Sequence, residues 1–412
     1  MDIINKCCCG LDVHKEKVVA CLRKMGDDGK CHTEKRTYLT VTKELLALSD
    51  WMASKGVTHV AMESTGVYWK PVWNILEGEF TVLLVNARHI KQVPGRKTDM
   101  KDCEWIAQLL QHGLLNPSFV PPTPIRELRD LTRHRTKVTG EQAAVTNRIQ
   151  KTLEDANIKL ASVATDIMGV SGRAMLKAII SGEEDPKELA NLAQRRLREK
   201  IPQLKLALEG RVTGHHRFML ETLLDQWEYL ASLIKRLDDR IEDVMRPFGE
   251  SVELLKTIPG VEQRTAENLI AEIGTNMGQF PSAEHLASWA GMCPGNNESA
   301  GKRKSGATPK GNRWLRSILN QSAWAASHTK NTYLSAQYRR LASRRGKKRA
   351  IVAVGHTILK IVYHILKHSV LYCELGNDYF DSLNSENLKR YLVKRLEKLG
   401  HKVTLEPLKE VA

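Results

Sequence analysis

Four acidic residues in the first hundred or so positions have types and spacing suited to metal-assisted phosphodiester chemistry. Asp12 follows one β-compatible run, Glu63 ends another, and Asp99 and Asp102 stand three apart after Thr98. Thr98 is predicted to be the N-cap of a following helix, and the spacing of three would place the two aspartates on one face of that helix. Carboxylates are preferred Mg²⁺ ligands, and one or two such ions neutralise the attacking and leaving oxygens of a phosphodiester. Taken singly, each acid is more typical of a turn or a helix cap.

The segments around these acids predict an α/β domain with a mixed sheet. Three β-compatible segments come first and suggest an antiparallel meander, and later strands alternate with helices that pack on the sheet. A proline-containing segment at 117–124 then predicts a domain boundary. The predicted strands are 7–13, 18–24, 35–41, 58–62 and 81–86, and the helices are 42–55 and 67–76.

The rest of the chain has a mainly helical pattern. Two long amphipathic stretches, 125–160 and 218–244, flank a smaller helical insert and predict a coiled-coil arm, although an ordinary helical bundle fits almost as well. A helix, the turn Pro259–Gly260 and a second helix resemble a helix-hairpin-helix motif, whose alternative is a tight turn between packed helices. We expect domains at 1–124, 125–250 and 251–375, and a helical tail at 376–412.

The charge of the chain is concentrated in one segment. The formal net charge is +16, and the interval Ser299–Cys373 contains 16 Lys and Arg but no Asp or Glu. The remaining 47 basic and 47 acidic residues cancel. A solvated basic face is the usual explanation of a charge run, but 75 residues without an acid favour a polyanionic partner such as nucleic acid.

Hydropathy and cysteine usage exclude other classes. No apolar run reaches the ~18 residues of a membrane span, and the nearest, 351–366, is interrupted by Lys360 and two histidines. The first residues do not have the pattern of a signal peptide. The eight cysteines form no CxxC pair, so we expect buried reduced thiols rather than zinc or disulfides. These features predict a cytoplasmic protein, not a membrane protein.

Three motifs around the acids resemble those of a known family. They are Gly-Leu-Asp-Val-His-Lys at 10–15, Met-Glu-Ser-Thr-Gly-Val-Tyr-Trp at 62–69 and Lys-Thr-Asp-Met-Lys-Asp at 97–102. Together with the stretches 286–302 and 309–316, they are similar to the DEDD transposases of the insertion-sequence family IS110. The resemblance is strong over 1–125 and 250–370, and elsewhere extends only to helical character.

The resemblance implies a RuvC-like domain of the ribonuclease H superfamily, with Asp12, Glu63, Asp99 and Asp102 as its Mg²⁺ ligands. It also implies a serine nucleophile in the second domain that forms a covalent phosphoserine link with DNA. The family motif places this nucleophile at Ser299. Because the family often has Ser-Gly where this chain has Ser-Ala-Gly, Ser305 remains a rival.

The same resemblance implies partners. They are donor and target DNA, a structured guide RNA from the element itself, and further copies of the chain in a dimer or tetramer; a nucleoid-associated bacterial protein is then expected. No His lies in the serine loop, so metal activation of the serine is the simpler expectation. Aromatic residues could stack on bases, although their helical spacing favours core packing; they are Trp314, Trp324, Tyr333 and Tyr338. The predicted phosphate-binding residues are Lys302, Arg303, Lys304, Lys310, Arg313 and Arg316.

Three other interpretations are open. A structure-selective nuclease of the same fold, such as a junction resolvase, would need the acids but not the serine. A non-catalytic DNA-binding scaffold would need neither. An actin-like ATPase also has an Asp after its first strand, but the glycine-rich phosphate loop expected after it is missing.

Overall fold

The computed structural model describes residues 2–64, 66–87, 90, 93, 102–295, 297–299, 301–383 and 385–406, with the backbone alone at 297–299, 303 and 304. The chain divides into two compact units, Met1–Val120 and Pro121–Ala412. Each unit has its own hydrophobic core.

The first unit is built on a five-stranded mixed sheet with the order β3-β2-β1-β4-β5. β1 to β3 form an antiparallel meander, whereas β1, β4 and β5 run parallel. The predicted mixed sheet with helices packed on it is confirmed. The elements are β1 (Cys7–Val13), β2 (Lys17–Met25), β3 (Cys31–Leu39), α1 (Thr42–Ser54), β4 (His59–Glu63), α2 (Trp69–Leu76), β5 (Thr81–Val85) and α3 (Asp102–Gln111).

Helices cover both faces of this sheet. Alternate residues of β1, such as Cys9 and Leu11, pack with α1 and α2 in one core cluster. The intervening positions face α3, whose residues Ile106 and Leu110 pack against Cys8 and Ala61. Strand periodicity therefore decides which side chains of β1 and β4 lie beneath α3.

The second unit begins with two long helices, α4 (Thr123–Asp155) and α9 (Gly214–Met245), as predicted. Pro124 lies in the first turn of α4, where a missing N–H costs nothing, and Thr213 with His216 forms a capping box on α9. Both helices share one core with the intervening insert. The insert contains α5 (Leu160–Val163), α6 (Val170–Ile180), α7 (Pro186–Asn191), the 3-10 helix Arg195–Lys200 and α8 (Ile201–Ala207).

The described remainder of the second unit is mainly helical and contains one hairpin. Its longest helix, α15, is long and apolar enough to cross a membrane by length and composition alone, but half of its apolar window is buried as a core helix. The elements are α10 (Gly249–Lys256), α11 (Gln263–Ile273), α12 (Ala283–Trp289), β6 (Asn297–Ser299), β7 (Lys302–Ser305), α13 (Arg313–His328), α14 (Tyr333–Arg345), α15 (Lys347–His368), α16 (Tyr379–Ser382) and α17 (Ser385–Lys398).

The turn between α10 and α11 packs on another helix. Gly260 has φ 83°, and a Cβ there would lie 2.5 Å from the Ser322 carbonyl oxygen of α13. A glycine is needed for both reasons. The turn therefore packs closely against α13, and the helix-hairpin-helix interpretation stays a prediction.

Candidate active site

Asp12 and Glu63 lie side by side at one edge of the sheet. Parallel β1 and β4 pair Leu11 with Met62, and Asp12 and Glu63 are the next residues of the two strands. Neighbours at equivalent positions of adjacent strands point to the same face. Because Ala61 packs under α3, both carboxylates belong to the α3 side of the sheet.

Gly10 allows α3 to lie directly on this face. A Cβ at Gly10 would be 2.4 Å from both the Ala107 nitrogen and the Cys103 carbonyl oxygen, so the helix backbone touches the strand. A glycine inside a buried strand is a recognised sign of such an approach, and this one precedes Asp12 by two residues. The contact brings Asp102, the first residue of α3, towards the acidic edge.

The surroundings of Cys103 show that Asp12 is near the start of α3. Its hydrogen bond with Cys21 lowers the pKa of the Cys103 thiol, and the charges of Glu104 and Asp12 oppose this shift. Asp12 also pairs with His14, with 3.0 Å between Oδ2 and Nε2, and its side chain is 26% exposed. Asp12 therefore remains accessible from solvent.

The described acids do not by themselves form a compact metal shell. Among the residues that the structure describes, no three His, Cys, Asp or Glu side chains are close enough to hold a metal ion. The fourth predicted ligand, Asp99, lies outside the described residues. The donors on this edge are nevertheless carboxylates, which suits a hard cation.

The predicted nucleophile, Ser299, lies at the closing pair of a β-hairpin. β6 and β7 are antiparallel, and Ser299 pairs with Lys302 across a two-residue connection. Gly301 has φ 73°, the left-handed conformation that tight hairpin turns use. The backbone of Ser299 is thus next to the hairpin tip.

The rival serine, Ser305, lies at the base of the same hairpin. It ends β7 opposite Asn297, and its hydroxyl accepts a hydrogen bond from the Ala307 nitrogen at 3.1 Å. This contact stabilises the turn after the strand. Ser305 therefore has a local structural role.

Two glycines hold the chain at the foot of the hairpin. A Cβ at Gly311 would lie 2.3 Å from the Ala290 carbonyl oxygen, and one at Gly291 would lie 2.7 Å from Gly311. Arg316 donates to the Pro309 carbonyl at 3.2 Å and to Thr308 Oγ1 at 3.1 Å. Arg316, predicted to hold phosphate, therefore also fixes the segment that follows the hairpin.

A buried carboxylate organises the start of α13. Glu272 is 1% exposed and accepts from Arg133 Nε at 2.7 Å and Nη2 at 2.8 Å. Asn312 caps α13 with its side-chain oxygen and donates to Glu272 at 2.5 Å. Burial lowers the pKa of neighbouring Arg129 to about 10, and the charge of Glu272 opposes this shift. This network ties α4 and α11 to the Lys-Gly-Asn-Arg motif and was not predicted from the sequence.

The remaining predicted cations surround the same region. Lys302 and Lys310 are exposed, and the Arg313 guanidinium lies 4.9 Å from the Trp314 ring centroid. An open groove runs past α13 and is lined by Lys310, Gly311, Arg313, Arg316, Ser317 and Asn320. Arg303 and Lys304 belong to β7.

The four aromatic residues differ in exposure. Trp324 is 54% exposed, so the expectation that it packs in the core is wrong. Tyr333 stacks on Phe380 with ring centroids 5.2 Å apart. Trp314 and Tyr338 are half-buried.

Two family models match the chain. A DEDD transposase model, DEDD_Tnp_IS110, matches residues 9–158, and a model described as transposase IS116/IS110/IS902 family matches residues 252–339. The first match contains all four predicted acids, and the second contains both candidate serines.

Curated relatives match a smaller part of the chain. A pilin gene-inverting protein of Moraxella bovis is 28% identical over 35% of this chain and 47% of its own length. An uncharacterized 43.6 kDa protein of insertion element IS110 from Streptomyces coelicolor is 28% identical over 29% of each chain. A putative transposase, y4pF/y4sB, of Sinorhizobium fredii is 29% identical over 34% of this chain and 37% of its own. The matches thus span less than half the length of these relatives.

Proposed function

Because the chain belongs to the IS110 family of transposases, we propose that it is the transposase of an insertion sequence and cuts and rejoins DNA. The observation that carries this proposal is the register of β1 and β4, which sets Asp12 beside Glu63 under the start of α3. Carboxylates gathered at a strand edge suit phosphodiester chemistry.

Divalent metal would be held by Asp12, Glu63, Asp99 and Asp102 in a RuvC-like arrangement, with one or two Mg²⁺ ions. Bound there, the metal would neutralise charge that develops on the phosphate oxygens. The protein orients the carboxylates through strand register and through the contact of α3 with Gly10. His14 restrains the Asp12 side chain through its hydrogen bond.

Ser299 would supply the nucleophile. Its Oγ bonds to phosphorus as its proton leaves, and the P–O bond to one side of the cut breaks and frees a hydroxyl end. In the rejoining step a hydroxyl end of another strand attacks the phosphoserine and releases Ser299. The covalent link retains the energy of the phosphodiester bond, so rejoining needs no further energy source. The hairpin, fixed at its foot by Gly291 and Gly311, would present Ser299 near its tip.

The partners follow from the same proposal. Donor and target DNA would be held in part by exposed cations near the hairpin, and a structured guide RNA would pair with both DNAs. The long helices α4 and α9 would act as a coiled-coil arm in a dimer or tetramer. This activity belongs in the bacterial cytoplasm, at the nucleoid.

The test is to purify the protein from cells that carry the complete insertion element. Bound nucleic acid is sequenced, and protein–DNA adducts are mapped by mass spectrometry of tryptic peptides. We expect an adduct on Ser299 and an element-derived RNA in the same fraction. An absence of RNA would remove the guided mechanism. Complete strand transfer by a Ser299→Ala variant would favour the resolvase-like nuclease instead.

A further inference from the structure

A second group of cations surrounds the junction between α14 and α15. Arg344 and Arg345 end α14, Gly346 forms the link with φ 82°, and Lys347 and Lys348 begin α15. With Arg349, these cations form what we call the junction surface, and all five are exposed.

The junction surface has no counter-charge of its own. Within the described part of the chain, none of its five cations makes an ion pair, and no acid occurs anywhere between Ser299 and Cys373. The nearby arginines differ, since Arg339 donates to Asn377 and Arg340 lies over the Phe380 ring at 5.2 Å. Like charges crowded on neighbouring helix turns repel.

The placement of three of these cations opposes the ordinary electrostatics of a helix. Arg344 and Arg345 suit the negative end of α14, but Lys347, Lys348 and Arg349 occupy the first turn of α15, the positive end of its dipole. This helix also lacks a side-chain cap, so its first N–H groups have no capping acceptor. A bound polyanion would relieve both unfavourable features together.

The junction surface lies at the same end of its helical bundle as the start of α13. Four residues link α13 to α14 and one links α14 to α15, so successive helices run antiparallel and α13 runs parallel to α15. Gly355 of α15 contacts Leu319 of α13. Each helix begins about two turns before that contact, so Arg313 and Lys347 lie at a similar level.

We propose that the junction surface binds a phosphodiester backbone, which continues from the Arg313 end of α13 across the start of α15. The recognition is by charge and is independent of base sequence. The proposal rests on the proposed function only in taking nucleic acid as the partner, because it requires no cleavage.

The test measures binding without chemistry. Arg345, Lys347 and Lys348 are changed together to Gln in the Ser299→Ala protein, and binding is followed by fluorescence anisotropy in EDTA from 0.1 to 0.4 M KCl. One ligand is a 30-base-pair DNA duplex of arbitrary sequence, and the other is an RNA hairpin with the same number of phosphates. The salt slope should fall by about 1 for each lost contact, or about 3 in total. If the variant and the parent protein have equal affinity at 1 M salt, this change of slope corresponds to a loss of affinity on the order of 100-fold at 0.2 M salt.

A matched control separates this surface from net charge. Arg390, Lys394 and Lys398, exposed on α17, are changed to Gln with the same loss of two Lys and one Arg. If the junction variant loses affinity only for the DNA duplex, or only for the RNA hairpin, the result supports the junction surface and identifies which nucleic acid it binds. If it loses affinity for both, the result supports a contact with the phosphodiester backbone that DNA and RNA share. A junction variant that binds like the control overturns the inference, even if strand transfer proves to follow the proposed function.

The free protein provides an independent readout. A second variant, with only Lys347 and Lys348 changed to Gln, relieves repulsion at the start of α15, so it should melt about 1–3 °C higher than the parent protein at low salt. A lower melting temperature would show that these lysines have a structural role, and would overturn the inference.

Discussion

Asp12 and Glu63, 51 positions apart in the chain, occupy adjacent places beyond the paired residues Leu11 and Met62 of two parallel strands. Both strands end at this edge, and Asp12 and Glu63 lie there on the same face of the sheet. The start of α3 lies over that edge because Gly10 has no side chain.

Replacement of Asp12 by Asn should abolish metal-dependent DNA cleavage. The loss of one charged ligand is worth several kcal/mol of transition-state stabilisation, so we expect a fall of roughly 1,000-fold or more. Cleavage is measured on donor plasmid across a Mg²⁺ titration, with EDTA as the metal-free reference. Asp50→Asn, an exposed change on α1, is the matched control and should cleave normally. Equal activity of the two variants would rule out Asp12 as a ligand.

The two serines should separate in an adduct assay. Ser299→Ala should lose the covalent protein–DNA species on denaturing gels, whereas Ser305→Ala should retain it, with at most lower stability from the lost Ala307 contact. Both proteins must first show normal circular dichroism spectra. If Ser305→Ala loses the covalent species and Ser299→Ala retains it, the nucleophile is Ser305.

Gly10→Ala should displace α3. The added Cβ would meet helix backbone at 2.4 Å, and backbone cannot give way as a flexible side chain does. Overpacking of this kind costs about 1–3 kcal/mol, with cleavage reduced because Asp102 moves away from Asp12. Urea unfolding and plasmid cleavage provide the two measurements. Gly78→Ala, which meets nothing within 4 Å and lacks a positive φ, should change neither; a neutral Gly10→Ala would contradict the close approach.

Glu272→Gln should destabilise the second unit. The amide retains the shape but removes the negative charge that Glu272 supplies to Arg129 and Arg133, and breaking a buried ion pair costs about 3–5 kcal/mol. Thermal melting should show a clear decrease. Glu253→Gln, which removes an exposed partner of Lys256, should have little effect because surface pairs contribute about 0–1 kcal/mol. Equal melting temperatures of the two variants would show that the Glu272 network stabilises the fold no more than a surface ion pair does.

Much of the fold could be predicted from local patterns. The strand at Cys7–Val13 and the helix at Thr123–Asp155 each follow a periodicity that neighbouring residues carry by themselves. The core role expected of Trp324 failed, because helical spacing identifies a face without showing which neighbour covers it. Similarly, the sequence showed that Arg313 and Arg316 are cations but not that Arg316 is engaged with Pro309.

The sequence by itself determined the chemical types at the site: carboxylates at Asp12 and Glu63, a serine at Ser299, and a basic segment free of acids. Tertiary structure decided which of them are neighbours. Strand register sets Asp12 against Glu63, the missing Cβ of Gly10 admits α3, and the buried charge of Glu272 gathers arginines and Asn312 from separate helices. The physical reason is the distance along the chain over which each effect operates. Hydrophobic periodicity and local composition depend on residues that are close in sequence. Strand register, close backbone contacts and buried ion pairs join residues that lie tens to more than a hundred positions apart.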